Sequence, residues 1–196
     1  FCSVSLVESP MKETHKAVLK LAKKNHAIIS FDPNIRLPLW SSAEACQETV
    51  REFLPDADLV KLSDEECFFV TGKHSILDAA DWLFEQGCKM VLYSMGKEGA
   101  MILTPHFSSH VENPEVRVKD TTGAGDAIIG AYLYCLAKNH ITVSQLADCL
   151  PEQVQEWLTF AVYYANYSIT KSGAIASYPD YTTFVKWMQE KRKKAH

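Results

Sequence analysis

Extremes of charge are missing from this 196-residue chain: 20 Lys and Arg stand against 24 Asp and Glu, for a net charge of −4. Such a balance gives no summed field to draw nucleic acid or an anionic membrane, so neither is expected as a partner. No apolar run approaches the roughly 20 residues that a membrane-crossing helix needs. The six cysteines (Cys2, Cys46, Cys67, Cys88, Cys135 and Cys149) include no Cys-x-x-Cys pair and are irregularly spaced. They read as reduced, mostly buried residues of a cytoplasmic protein rather than as a disulfide framework or a zinc site. His106 and His110 are four apart, but they flank an expected hairpin and have no cysteine nearby, so they are not read as metal ligands. The Gly-x-Gly-x-x-Gly fingerprint of dinucleotide-dependent oxidoreductases is absent as well, which argues against that class. There is no repeat, low-complexity stretch or linker, and the composition, 47% hydrophobic and 22% charged, suffices for the core of one domain spanning 1–196.

What is present is an alternation of short β-rich runs and amphipathic stretches. Strands are expected at 1–6, 27–31, 59–62, 90–94 and 100–103. Helices are expected at 10–24, from the Ser41-x-x-Glu44 capping pattern to about Phe53, from Ser63-x-x-Glu66 onward, at 76–84, 124–138, after Thr142, at 151–168 and from Asp180. Strand and helix in turn, with short connections, imply parallel strands and right-handed crossovers: a three-layer α/β/α sandwich with a mainly parallel sheet.

Residues 120–127, Asp-Thr-Thr-Gly-Ala-Gly-Asp-Ala, run into the nearly uncharged segment 128–137. A glycine-rich turn that opens a helix presents backbone N–H groups with no helical acceptor, at the positive end of the helix dipole. That is an anion site suited to phosphate. Asp126 is a carboxylate set where bound phosphate would repel it, which makes sense for a base that takes a proton from a nucleophile attacking that phosphate. The plainer reading is that Asp126 caps the helix.

The octapeptide closely resembles the second signature of the PfkB (ribokinase-like) carbohydrate kinases, and further segments extend the resemblance. Phe31-Asp32-Pro33-Asn34-Ile35-Arg36-Leu37-Pro38-Leu39-Trp40 is similar to a segment of the fructokinases within that family. It implies that Asn34 and Arg36 meet substrate or phosphate, Arg36 as a planar charged fork; alternatively Arg36 pairs with Asp32 as a structural clasp. Ser63 and Glu66, placed by counting back from Thr71-Gly72, match the family's Asn-x-x-Glu region, with serine where asparagine is common. The resemblance gives Ser63 a nucleotide-side role and lets Glu66 organise Mg²⁺ through water, although a capping box alone would also explain this glutamate. Ser94, Gly96 and Gly99 resemble the nucleotide turn, and a plain strand-turn-strand hairpin wants the same glycines. The loop holding Gly173 and Ser177 resembles the one that closes a monovalent-cation site, for K⁺, with Asp120 and Thr122.

The resemblance covers all of the chain but only the C-terminal portion of the family's fold, since the family's Gly-Gly signature and lid strands are not among these 196 residues. The expectation is a piece of a longer kinase, inactive alone and free to associate, whose parent uses ATP, Mg²⁺ and K⁺ and dimerises through the lid. On this reading the parent phosphorylates a sugar hydroxyl, most simply fructose to fructose 6-phosphate. Asp126 is the base, and the N–H groups of Gly123, Ala124, Gly125 and Asp126 hold the transferring phosphoryl group. The alternatives are a 2-keto-3-deoxygluconate kinase or another PfkB sugar or nucleoside kinase and, in a different class, a non-catalytic nucleotide-binding or oligomerisation module.

Overall fold

A computed structural model describes residues 1–7 and 10–194. Five strands, β1 (Ser30–Phe31), β2 (Leu59–Ser63), β3 (Met90–Ser94), β4 (Ala100–Leu103) and β5 (Ser108–Val111), form a mixed sheet in the order β1-β2-β3-β4-β5. The pairs β1/β2 and β2/β3 are parallel, with Phe31 opposite Val60 and Lys61 opposite Leu92. α1 (Met11–Lys24) precedes β1, α2 (Ala43–Phe53) joins β1 to β2, and α3 (Asp64–Thr71) and α4 (Ile76–Glu85) lie between β2 and β3. The later chain holds α5 (Ala124–Lys138), α6 (Pro151–Ser168) and α7 (Tyr181–Lys194).

The packing gathers the chain into two compact units: residues 1–95, 101–108 and 141–149 form one, and residues 96–100, 109–140 and 150–196 the other. In the first unit Leu6, Phe31, Val60, Leu62, Val91 and Leu83 are fully buried in one apolar core. The second has an aromatic cluster in which Phe184 meets Phe160 edge-on, with ring centroids 4.9 Å apart, and Tyr164 at 5.1 Å. All six cysteines are unpaired. Burial raises the Cys46 thiol to about 11 and those of Cys88 and Cys135 to about 12, so they behave as small apolar groups.

The helices follow the sequence pattern closely, because apolar spacing and caps agree. Ser63 and Glu66 make the expected capping box, whereas the cap of α2 is Ser42, which accepts from Ala45 N–H, rather than Ser41. The expected strand at 1–6 is a correction: only Cys2 bridges to Asp32, and Ser3–Leu6 is a turn of 3-10 helix. Asp32 N–H donates to Phe1 C=O and Ser3 N–H to Pro33 C=O. Ser3 turns into the 3-10 helix directly after this bridge, so pairing stops there. β1 keeps only the last two residues of the expected 27–31 run; just before it, Ile29 N–H is taken by the Asp58 carboxylate rather than by a strand partner.

Candidate active site

In the second unit, α5 begins at Gly123, whose φ of 79° lies in the left-handed region. A Cβ there would come within 2.8 Å of the Tyr178 hydroxyl and 2.9 Å of Ala174 Cβ, so only glycine satisfies both the dihedral and the space. Gly123 C=O accepts from Ala127 N–H at 2.8 Å and from the Tyr178 hydroxyl at 2.9 Å. The first-turn N–H groups of Gly125 and Asp126 have no carbonyl four residues back inside the helix, and the dipole places partial positive charge behind them. Asp126 is the third residue of α5 and exposed. The cap position belongs to Gly123 and carries no side-chain hydrogen bond, so the capping explanation of Asp126 falls. A cavity of about 290 Å³ opens beside this carboxylate, lined by Ala127, Ala131, Tyr164, Tyr178 and Phe184 among others. The Tyr178 hydroxyl is held above its ordinary pKa by burial first and by the Asp126 charge second.

Asp120 draws two loops together. Its Oδ1 accepts from Thr122 N–H and its Oδ2 from Gly173 N–H, both at 2.9 Å. These donors, Gly173 first, lower its pKa to about 2. Ser177 is buried, and its hydroxyl donates to Ala174 C=O at 2.7 Å. Asp120, Thr122, Gly173 and Ser177 thus share one neighbourhood, where oxygens of the kind a hard cation wants are concentrated.

The nucleotide-turn candidates divide between the units. Ser94, at the end of β3, donates from its hydroxyl to Leu62 C=O at 3.4 Å. Gly96 (φ 51°) and Gly99 (φ 98°) lie in the second unit. A Cβ on Gly99 would sit 2.0 Å from Val111 C=O, so this glycine is required by the backbone beside it without any ligand. A Cβ on Gly96 would meet nothing within 4 Å, and the Gly96 carbonyl accepts from Asn113 Nδ2 at 2.8 Å. Asn113 Oδ1 in turn accepts from the buried Asn166 Nδ2 at 2.7 Å. Sequence reasoning passed over Asn113, Asn166 and Tyr178, which act through backbone carbonyls and leave no local spacing signal.

In the first unit, the Asp-Pro-Asn-Ile-Arg loop is tied to α3. Glu66 Oε1 accepts from Ile35 N–H at 2.9 Å, while Oε2 accepts from Ser63 N–H at 3.0 Å and from the Ser63 hydroxyl at 2.9 Å. Asn34 has φ 45°, a left-handed conformation that asparagine tolerates better than most residues. Arg36 is exposed and donates to Ile35 C=O at 2.9 Å. The cation at Asp32 Oδ1 is Lys61, 3.2 Å away. With three donors already on its oxygens, Glu66 has little capacity left for direct ligation of a metal ion. Among the described residues no cluster of three or more His, Cys, Asp or Glu is arranged to hold a metal.

A family model described as pfkB family carbohydrate kinase matches residues 1–181. A probable fructokinase-5 of Arabidopsis thaliana is 35% identical over 192 residues, covering 97% of this chain and 58% of the relative. Among solved structures, a fructokinase of Xylella fastidiosa with bound ATP superposes with a TM-score of 0.89 at 27% identity, covering 96% of this chain and 60% of the other. A fructokinase of Vibrio cholerae O395, bound to fructose, ADP and calcium ion, gives 0.84 at 29% identity, with 96% and 59% covered. The chain therefore spans about three-fifths of the length of these proteins. The glycine-rich turn opening α5, the fold around it and these likenesses agree: the chain belongs to the pfkB family of carbohydrate kinases.

Proposed function

We propose that the protein to which this chain belongs transfers the terminal phosphoryl group of ATP to a sugar hydroxyl, with fructose the substrate and fructose 6-phosphate the product. The observation that carries the proposal is the start of α5, where the Gly125 and Asp126 N–H groups, without a helical acceptor, follow a left-handed Gly123 and the exposed carboxylate of Asp126 stands clear of any cap. Asp126 takes the proton of the attacking hydroxyl, and the N–H groups from Gly123 to Asp126 stabilise the charge on the transferring group. Arg36 neutralises phosphate oxygens or orients the sugar with Asn34, and its neighbour Ile35 is fixed by Glu66. Glu66 would hold Mg²⁺ through water, and the bound ion would supply charge neutralisation on the phosphates. Asp120, Thr122, Gly173 and Ser177 would hold K⁺, which would supply positive charge beside the glycine-rich turn.

The likeness to a fructokinase bound to fructose and ADP supports the choice of sugar, and the unpaired cysteines support a reducing, cytoplasmic setting. The test is a steady-state assay of a full-length form with ATP against fructose and 2-keto-3-deoxygluconate, in K⁺ and in a large inert cation. Preference for fructose and stimulation by K⁺ are expected. Faster turnover of ketodeoxygluconate would reassign the sugar, and equal rates in both cations would remove the K⁺ site.

A further inference from the structure

Lysine is among the residues least often buried, yet Lys61 is 5% exposed in the middle of β2, between Val60 and Leu62. A buried ammonium is tolerated only when paired, and Lys61 Nζ stands 3.2 Å from Asp32 Oδ1 and 3.8 Å from Glu66 Oε2. The parallel register explains the first contact: Phe31 lies opposite Val60, so one step on brings Asp32 beside Lys61. Both carboxylates are 8% exposed and, without the ammonium, would repel each other across a poorly solvated space.

The consequence reaches the loop. Asn34 adopts φ 45°, a conformation that a non-glycine residue keeps only when its surroundings hold it. The very next N–H, that of Ile35, is gripped by Glu66 Oε1. We propose that Lys61 is a positioning residue: by pairing with Asp32 and Glu66 together, it sets the Glu66 carboxylate so that Oε1 captures Ile35 N–H and locks the Asn34–Arg36 turn in the shape that presents Arg36. The value of that shape to phosphoryl transfer rests on the kinase reading above; the lock itself does not.

The experiment is hydrogen–deuterium exchange, read by mass spectrometry on peptides covering residues 31–39, in a full-length form carrying Lys61→Met or Lys61→Arg. In Lys61→Met the loop amides should exchange at least about tenfold faster, while peptides of α2 keep their protection and Lys61→Arg restores the slow rate. Unchanged loop exchange, or a rise shared equally by α2, overturns the proposal. Should Lys61→Met fail to fold, Glu66→Gln keeps the side-chain shape and the Lys61–Asp32 pair but has one carbonyl oxygen for donors at two positions. It should loosen the same peptide, and a loop as protected as in the wild type would equally overturn the lock. Where sugar phosphorylation is measurable, turnover should fall about tenfold in Lys61→Met and return in Lys61→Arg. A wild-type protein that phosphorylates no sugar would sink the kinase reading and leave the exchange result standing by itself.

Discussion

The start of α5 and the Asp32–Lys61–Glu66 cluster are both built from short acidic motifs at the N-terminus of a helix, yet they are opposite in kind. At α3 the acid at the third position, Glu66, is buried and its oxygens are occupied by Ile35, by Ser63 and, more distantly, by Lys61. At α5 the acid at the same position, Asp126, is exposed and caps nothing. One helix closes on itself through a capping box; the other begins on a left-handed glycine, and the Gly125 and Asp126 N–H groups of its first turn lack a helical acceptor. The difference teaches that an acidic residue three positions into a helix is not informative until the cap residue is known. Serine at the cap recruits the acid to the backbone, and glycine releases it.

The sharpest way to break this contrast is Asp126→Asn. In a full-length form turnover should fall by about 10²–10⁴, with ATP affinity and melting temperature nearly unchanged, since a base is lost and no backbone donor is. A variant with wild-type turnover would put Asp126 in the same structural class as Glu66. Glu66→Ala should do the reverse and unfold more than it inactivates. It strands the N–H groups of Ile35 and Ser63 and leaves Lys61 with less compensation, a loss of about 3 kcal/mol in chemical denaturation. A loss under about 0.5 kcal/mol would mean that the carboxylate is not holding the loop.

Gly123→Ala tests the glycine start of α5. A Cβ in a left-handed residue, 2.8 Å from the Tyr178 hydroxyl, should cost about 2 kcal/mol of stability and disturb the anion turn. An alanine variant with unaltered melting and turnover would show that the left-handed start is dispensable. The smallest effect concerns Asp120. Its carboxyl is depressed from 3.8 to about 2 by the Gly173 and Thr122 donors, so its contribution is complete above about pH 4 and is lost as pH falls through about 2. The melting-temperature gap between wild type and Asp120→Asn should therefore narrow across that interval. A gap that stays constant from pH 5 to pH 2 would mean that the carboxylate is not what joins the two loops.

Much of this was legible in the chain. Alternating patterns and caps gave the helices to within a residue or two, because periodicity and capping are local. The glycine-rich octapeptide marked the anion turn, since glycine and a following apolar helix leave few other conformations. What escaped was long-range. Phe1 to Leu6 alternates like a strand, but after a single bridge at Cys2 it turns into 3-10 helix. Arg36 was the natural partner for Asp32 in sequence, four residues away, whereas Lys61, 29 residues on, stands at 3.2 Å. A lysine inside the apolar run 59–62 was the available signal, and its meaning depended on a register that only the sheet supplies. Asn113 and Asn166 are 53 residues apart and meet side chain to side chain.

The Asp120 clasp bears on the order of folding. Thr122 lies two residues from Asp120, so that half of the clasp can form as soon as the turn is made. Gly173 lies 53 residues further along, beyond α5 and α6, and its bond to Oδ2 waits for both helices to be made and for the chain to return. Loop closure over that span is an entropic charge that local helix formation does not carry. During synthesis the glycine-rich turn therefore emerges long before it can be finished, and the phosphate site matures only when nearly all of this chain has left the ribosome.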